Sequence, residues 1–568
     1  MDRPLDLVLV WHMHQPDYRD HATGEFTLPW VYLHAIKDYT DMAWHLEHHS
    51  GMHAVVNFVP VLLDQIEDYC AQFGRGELRD PLLRLLAHSG AEPLSEAERT
   101  LALERCFATN HHKLIESFPP YKRLHDLFLS LVSPGGEAFA YLSDQYIYDV
   151  LTWYHLSWTG ESVRRGSEVI ARLMAVGGRF GRDDRLSLLN TIADLMREVI
   201  PRYRRLAESG RIELSTTPQH HPLAPLLLDF RSALDAQPGM KLPEAAGYAG
   251  GRARVEAQLD AALQGHARRF GAPACGVWPA EGGVSPALLS LLDARGVAWT
   301  ASGEAVLSNS LRKGGTLASQ RGEYLYRPYQ VPGADLVCFF RDDRLSDLIG
   351  FEYSKWHGRD AAANFVGELD AIAGAAPPGQ RPLVSVILDG ENAWEYYPYN
   401  GYYFLSDLYE ALEARVGIRT TTFSAWLEAN PQGPSAPPAF GELATLVSGS
   451  WVYGDFSTWI GSEDKNRAWD LLCAAKTSFD HVVASGRLSA GQQAAATRQL
   501  ADCESSDWFW WPGVYNPDEA VAVFERMFRA KLANLYAILG LPAPRRLSVA
   551  FSRGAGSPEA GGAMRRAN

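Results

Sequence analysis

Four short segments of this chain bring together side chains that carry chemistry. The first is Trp11-His12-Met13-His14-Gln15-Pro16, where alternation along a strand points both histidines to one side. Such a pair can begin a metal site in a barrel, although zinc needs three or four ligands; the alternative is two hydrogen-bonded histidines at a strand end. The second segment, from Gly210 to Pro222, places Glu213, His220 and His221 on a short strand and the polar loop after it. It is either functional or a surface turn, and Pro222 predicts an extended backbone at His221. The third is Trp278-Pro279-Ala280-Glu281-Gly282-Gly283, in which a buried strand exits into an acid beside an indole. That suits contact with a bound ring, and the plainer reading is a Glu capping the next helix. In the fourth, Leu388-Asp389-Gly390-Glu391-Asn392-Ala393-Trp394-Glu395, Asp389 ends a strongly apolar run where an acid needs a partner. Its plainer role is to bond amides of the turn that follows. Glu391 and Glu395 are further carboxylates in the same segment.

The elements that position these segments are legible as short apolar runs. Leu7–Trp11, Ala54–Phe58, Ile212–Ser215, Gly276–Trp278, Val297–Ala301 and Leu383–Leu388 read as buried strands. Helical patterns such as Glu96–Phe118, Leu186–Ser209 and Arg252–Phe270 lie between them. Strands alternating with helices predict an α/β fold with a mainly parallel sheet, and ligand-type residues at the strand ends favour a barrel with one site on its rim. A Pro-rich stretch from Asn430 to Pro438 predicts a connection to a C-terminal helical region. There Asn516 is expected to cap a helix opened by Pro517 and closed before Gly540. The expected organisation is a catalytic barrel over 1–429, helices over 430–552 packed on it, and a disordered tail over 553–568. The segment Asp229–Gly251 lacks periodicity and is expected to be an active-site loop.

Composition narrows the chemistry. Lys and Arg number 53 against 67 Asp and Glu, for a net charge of −14 with no basic stripe, which disfavours nucleic acid. No apolar run approaches the ~18 residues of a membrane span. Six scattered cysteines without a CxxC predict reduced thiols. The N-terminus reads as a buried first strand rather than a signal peptide, so the expected compartment is the cytoplasm. Neither a cofactor nor a metal is implied. Two carboxylates after different strands, bordered by His and Trp, fit cleavage of a glycosidic bond, which needs one carboxylate at the anomeric centre and one carboxyl to protonate the leaving oxygen. Spacing alone leaves open which acid does which.

At these segments the chain resembles the family 57 glycoside hydrolases, over about residues 5 to 515. His14-Gln15-Pro16, with His12 upstream, is similar to the family's opening motif, and Glu213 with His221-Pro222 to its second region. The resemblance implies that Glu281 is the nucleophile and Asp389 the acid/base of a retaining enzyme acting on α-glucans, and it implies an incomplete (β/α)7 barrel followed by helices. It also suggests His12, His14, Glu213, His221, Trp278, Trp394, Asp342 and Trp459 as substrate-binding residues. Trp394, the block Arg341–Asp347, the stretch Trp451–Trp469 and Asp507-Trp508-Phe509-Trp510-Trp511 look closest to the amylopullulanase and α-amylase-like branch. Asn392–Tyr397 replaces a Gly and a His that some members carry after the acid/base. The expected resting state is an ionised Glu281 and a protonated Asp389, roughly 5–5.5 Å apart. Hydrolases and glucanotransferases share this pair, so transfer or branching is the alternative activity. More distant rivals are a metal-dependent hydrolase built on His12, His14, His221 and Asp389, and a glucan-binding protein without catalysis.

Overall fold

The computed structural model describes residues 4–132, 142–331, 333–431 and 440–556. Its framework is a set of strands: β1 (Leu5–Met13), β2 (Ala54–Phe58), β3 (Ile212–Thr216), β4 (Gly276–Val277), β5 (Trp299–Ser302), β6 (Tyr329–Gln330), β7 (Val337–Phe340), β8 (Leu383–Asp389), β9 (Ile418–Thr420) and β10 (Gly441–Glu442). Their order is β10-β6-β7-β5-β4-β3-β2-β1-β8, with β9 also pairing β1. Seven of them, from β7 round to β8, form a continuous parallel run, and β6 joins β7 antiparallel. This is the mainly parallel sheet that the alternating pattern predicts, curled into the incomplete barrel that the resemblance implies.

The seam between β7 and β8 has no strand ladder. It is closed by the chain beyond β7: the Asp342 amide donates to Ser385 O at 2.7 Å, and the Arg341 guanidinium Nε donates to Ile387 O at 2.7 Å. Breaking the ring here leaves backbone groups that side chains must satisfy, which explains a buried arginine at this position.

The barrel interior is filled by alternate residues of each strand: Val8 and Val10, Val55, Trp278, Trp299 and Ala301, Val337 and Phe339, Leu383 and Ile387. The helix Phe423–Ala429 plugs its lower end, with Phe423 stacked on Phe339 at 4.1 Å and edge-on to Trp299 at 4.6 Å. Gly276 is required beneath it, because a Cβ there would lie inside the Trp299 indole.

Several expectations shift in detail. The strands β7, β6, β9 and β10 had no sequence signal of their own. The helix expected over Glu96–Phe118 ends at Phe107, because Asn110 caps a separate turn by accepting the Lys113 amide and Pro119 opens a third segment. Asn516 does not cap the last long helix, which runs Asp518–Ile538; its side-chain amide donates to Trp510 O and Trp511 O instead. Residues 553–556 pack back through Ala555 N to Val514 O and Gly556 N to Asn516 O, while the rest of the expected tail and most of the Pro-rich connection lie outside the described residues. The helices Glu463–Ala484, Ala490–Cys503 and Asp518–Ile538 pack together and carry the turn Ser505–Trp511 to the barrel mouth. Among the described residues no helix is long and apolar enough to cross a membrane.

Candidate active site

Strand register does the first positioning. His12 on β1 lies opposite Asn57 on β2 and Asp389 on β8, so three polar side chains meet one step above the apolar layers of Val8 and Val10. His12 Nδ1 pairs with Asn57 Oδ1 at 2.7 Å, and Asn57 is itself oriented by Ser215 and Thr217. Burial, aided by His14, holds the His12 imidazole down to about 3, so it is neutral and serves as a hydrogen-bonding group.

Above this layer a cavity of about 470 Å³ opens at the C-terminal ends of the strands. His12, His14, His221, Glu281 and Asp389 all line it. The two acids that lie far apart in sequence therefore face one space. His14 and His221 stack at 3.8 Å, with His12 5.2 Å from His221. The His221 ring donates from Nδ1 to Ser506 Oγ at 2.8 Å, Ser506 donates to Glu281 Oε1 at 2.9 Å, and Trp451 Nε1 donates to Glu281 Oε2 at 3.2 Å. Both His221 and Glu281 have left-handed backbones, at φ 55° and 59°, a region costly for residues with a Cβ. The extended backbone expected before Pro222 is overridden because the His221 amide bonds Pro218 O and its carbonyl accepts from the Ser506 amide.

The pairing of carboxyls extends beyond the expected two. Asp507, from the C-terminal region, accepts from Ser505 and pairs with His14 Nε2 at 2.9 Å. Against the burial that would raise it, His14 holds the Asp507 carboxyl below its ordinary range, so it stays ionised. Burial first, then the charges of Asp507 and Asp389, push Glu281 up to about 8 despite its two donors. Burial raises Asp389 to about 6, opposed by Asn392, His14 and Arg341. The resting proton assignment is thus the reverse of the one expected: near neutral pH Glu281 holds it and Asp389 is ionised. Burial is the larger cause, and the charge of Asp507, which had no role in the sequence argument, adds to it at Glu281.

Other expected contacts fall elsewhere. Glu213 points into the lower barrel, accepting from Trp299 Nε1 at 2.6 Å and from the Ser424 amide at 2.9 Å, where it anchors the plug helix. Trp278 is fully buried beneath the site, edge-on to Trp451 at 5.3 Å. Trp394 is buried and donates to Gly390 O, Asp342 caps the short helix Asp343–Asp347 and binds Arg321, and Trp459 packs against Trp510. None of these five lines the cavity, although Trp278 and Trp394 brace residues that do. The segment Asp229–Gly251 is no rim loop either: Gln237, Ala245 and Tyr248 are held by Asp455, Asp470 and Glu504. Lining residues the sequence argument missed are Arg341, Trp451, Asp507, Trp510 and Trp511, all from blocks noticed without a role, and Glu391. Burial raises Glu391 well above its ordinary range, and it accepts from the His14 amide and Gln15, bracing the first loop.

His14, His221 and Asp507 could together approach one cation, their ligand atoms lying within 4.8 Å of each other. Stacked rings, however, send their in-plane lone pairs in parallel rather than toward one point, and His221 Nδ1 and His14 Nε2 are already engaged. A second such group, Asp17, His21 and Asp502, is matched by Arg19 and Lys531 as ion pairs.

The fold has known counterparts. A branching enzyme of the GH57 type from Thermococcus kodakaraensis is 16% identical over 95% of this chain and 90% of its own, with a TM-score of 0.56. One from Pyrococcus horikoshii is 16% identical over 97% of each chain, with a TM-score of 0.54. An α-amylase from Thermotoga maritima is 13% identical over 95% and 94%, also at 0.54. No curated protein matches the chain in sequence. The profile described as Glycosyl hydrolase family 57 matches residues 8–433, most of the barrel and both acids, and the chain belongs to that family.

Proposed function

We propose that the protein is a retaining enzyme on α-glucans, with Glu281 as nucleophile and Asp389 as acid/base. The observation that carries this reading is the convergence of the two carboxyls on one cavity beside three histidines. Glu281 Oε forms a bond to the anomeric carbon as the glycosidic C–O bond breaks, and the leaving oxygen takes a proton from Asp389. Water or a sugar hydroxyl then attacks the same carbon, giving its proton to Asp389 and releasing Glu281. The pair needs one proton between them, and substrate has to shift it. Positive charge developing at the anomeric carbon stabilises an ionised Glu281, which moves that proton toward Asp389. His12 and His221, neutral and fixed by Asn57 and Ser506, suit hydrogen bonds to sugar hydroxyls.

Transfer is the second reading, and one feature favours it. The C-terminal region gives the cavity an aromatic wall, with Trp511 stacked on Phe524 at 4.3 Å and Trp510 alongside. Flat rings there offer an acceptor sugar a seat and exclude water. The relatives named above include both branching enzymes and an amylase. A product profile from one pure maltooligosaccharide separates the readings: only shorter sugars mean hydrolysis, and products longer than the input or newly branched mean transfer. Absence of any product sinks both.

Because activity needs exactly one proton on the pair, kcat/KM is expected to follow a bell. It falls below pH about 6, where both acids are protonated, and above about 8, where both are ionised. A profile flat from pH 5 to 9 would refute this assignment.

A further inference from the structure

A second cavity, of about 540 Å³, is lined by Trp356, His357, Arg359, Tyr399, Tyr403 and Asp407 among others. Among the described residues the strongly exposed large aromatics are Trp356, Tyr396, Tyr399, Tyr403 and Tyr453, at 44, 38, 58, 46 and 46%. Three of these five line the second cavity, and Tyr396 lines the first. Exposed aromatics are normally scattered, so such a concentration calls for a ligand.

The loop that carries them is built at a cost. Tyr399, Asn400 and Gly401 are consecutive left-handed residues, at φ 52°, 55° and 73°. Two of the three carry a Cβ, and for Tyr399 in particular this region is sterically costly. The strain is held by Lys37 and Asp41, which bind Asn400 at 3.2 and 3.3 Å, and by Trp394, whose indole fills the space a side chain at Gly401 would need. Tyr403 is fixed from the other side, its hydroxyl accepting from Arg165 at 2.7 Å and its ring edge-on to Tyr399 at 5.3 Å. The loop therefore holds Tyr399 in solvent in one orientation rather than letting it fold onto the barrel.

We propose that this platform binds an α-1,4-glucan chain extending out of the catalytic cavity. Three things favour a sugar polymer over a protein partner. The rings share the lining with His357 and with Arg359 and Asp407, which pair with each other at 3.7 Å, so polar groups border the apolar faces, as sugar recognition requires. The surface is a groove rather than a continuous apolar face. One loop also links it to the catalytic cavity: Tyr396 lines one and Tyr397, Pro398 and Tyr399 line the other, a backbone reach of at most ~10 Å. The proposal rests on the glucan reading of the catalytic cavity.

The test is electrophoresis of the full chain through native gels containing soluble amylopectin, comparing the wild type with the double variant Trp356→Ala/Tyr399→Ala. Retardation by the polymer is expected to weaken roughly five- to tenfold in the variant. Turnover of maltotetraose, too short to need the platform, should stay within about twofold. That turnover, with an unchanged melting temperature, also certifies folding. Equal retardation of the two proteins, or none for the wild type while it forms product, overturns the platform and leaves the catalytic reading intact. Retardation lost in the variant, with no product from either protein, supports the platform and sinks the catalytic reading. A change of sedimentation from dimer to monomer at unchanged affinity would instead make this face a contact between copies, and would also overturn it.

Discussion

Replacing Glu281 with Ala is expected to lower turnover of a maltooligosaccharide by roughly four orders of magnitude or more, since the covalent step loses its nucleophile. Added azide should restore part of the rate by entering the vacated space, and the product should be a glycosyl azide of inverted configuration. Wild-type turnover by the variant would disprove the assignment. Glu281→Gln supplies a second readout that needs no substrate. A carboxyl raised from 4.5 to about 8 binds its proton more tightly in the folded protein. Its contribution is therefore fully present below pH about 4.5 and is lost as pH rises through about 8. The Gln variant lacks that loss, so its melting temperature relative to wild type should climb between pH 5 and 8. A constant difference over that range would show that Glu281 is not the buried proton holder the site geometry makes it.

Replacing Asp389 with Asn is expected to cost about 10²–10⁴-fold on natural linkages, the range for losing a general acid. The loss should shrink on an aryl α-glucoside with an acidic phenol, whose departure needs no proton. With such a substrate the second step becomes slow, and a glycosyl-enzyme on Glu281 should accumulate and be visible as added mass on the intact protein. The pH dependence assigned to proton donation by Asp389 should disappear in the same variant. An equal loss on both substrates would mean that Asp389 positions the sugar rather than moving a proton. Asn392, which donates to Asp389 at 3.0 Å, would then be part of a binding network.

Local sequence determined a good deal of this protein. Short continuous apolar runs placed β1, β2, β3, β4, β5 and β8 within a few residues, because a buried parallel strand must be apolar on both faces. The strand-end polar residues followed from the same fact: His12 and Asp389 break apolar runs, and only a site compensates such a break. The short strands β6, β7, β9 and β10 were not read from the sequence; each is held by partners far along the chain.

The side chains that finish the site belong to the tertiary structure. Glu213 and Trp278 looked like rim residues by proximity to motifs, yet one residue of shift along a strand or one step of depth decides between the cavity and the packed interior. Asp507, Ser506, Trp451 and Arg341 come from segments whose sequence says only that they are polar or aromatic. They reach the mouth because Arg341 closes the seam between β7 and β8 and the C-terminal region, with the loop that carries Trp451, covers the rim. Which acid carries the resting proton is therefore a property of the assembled fold. Charge interactions depend on distance through a dry interior, and no reading of neighbours along the chain supplies that distance.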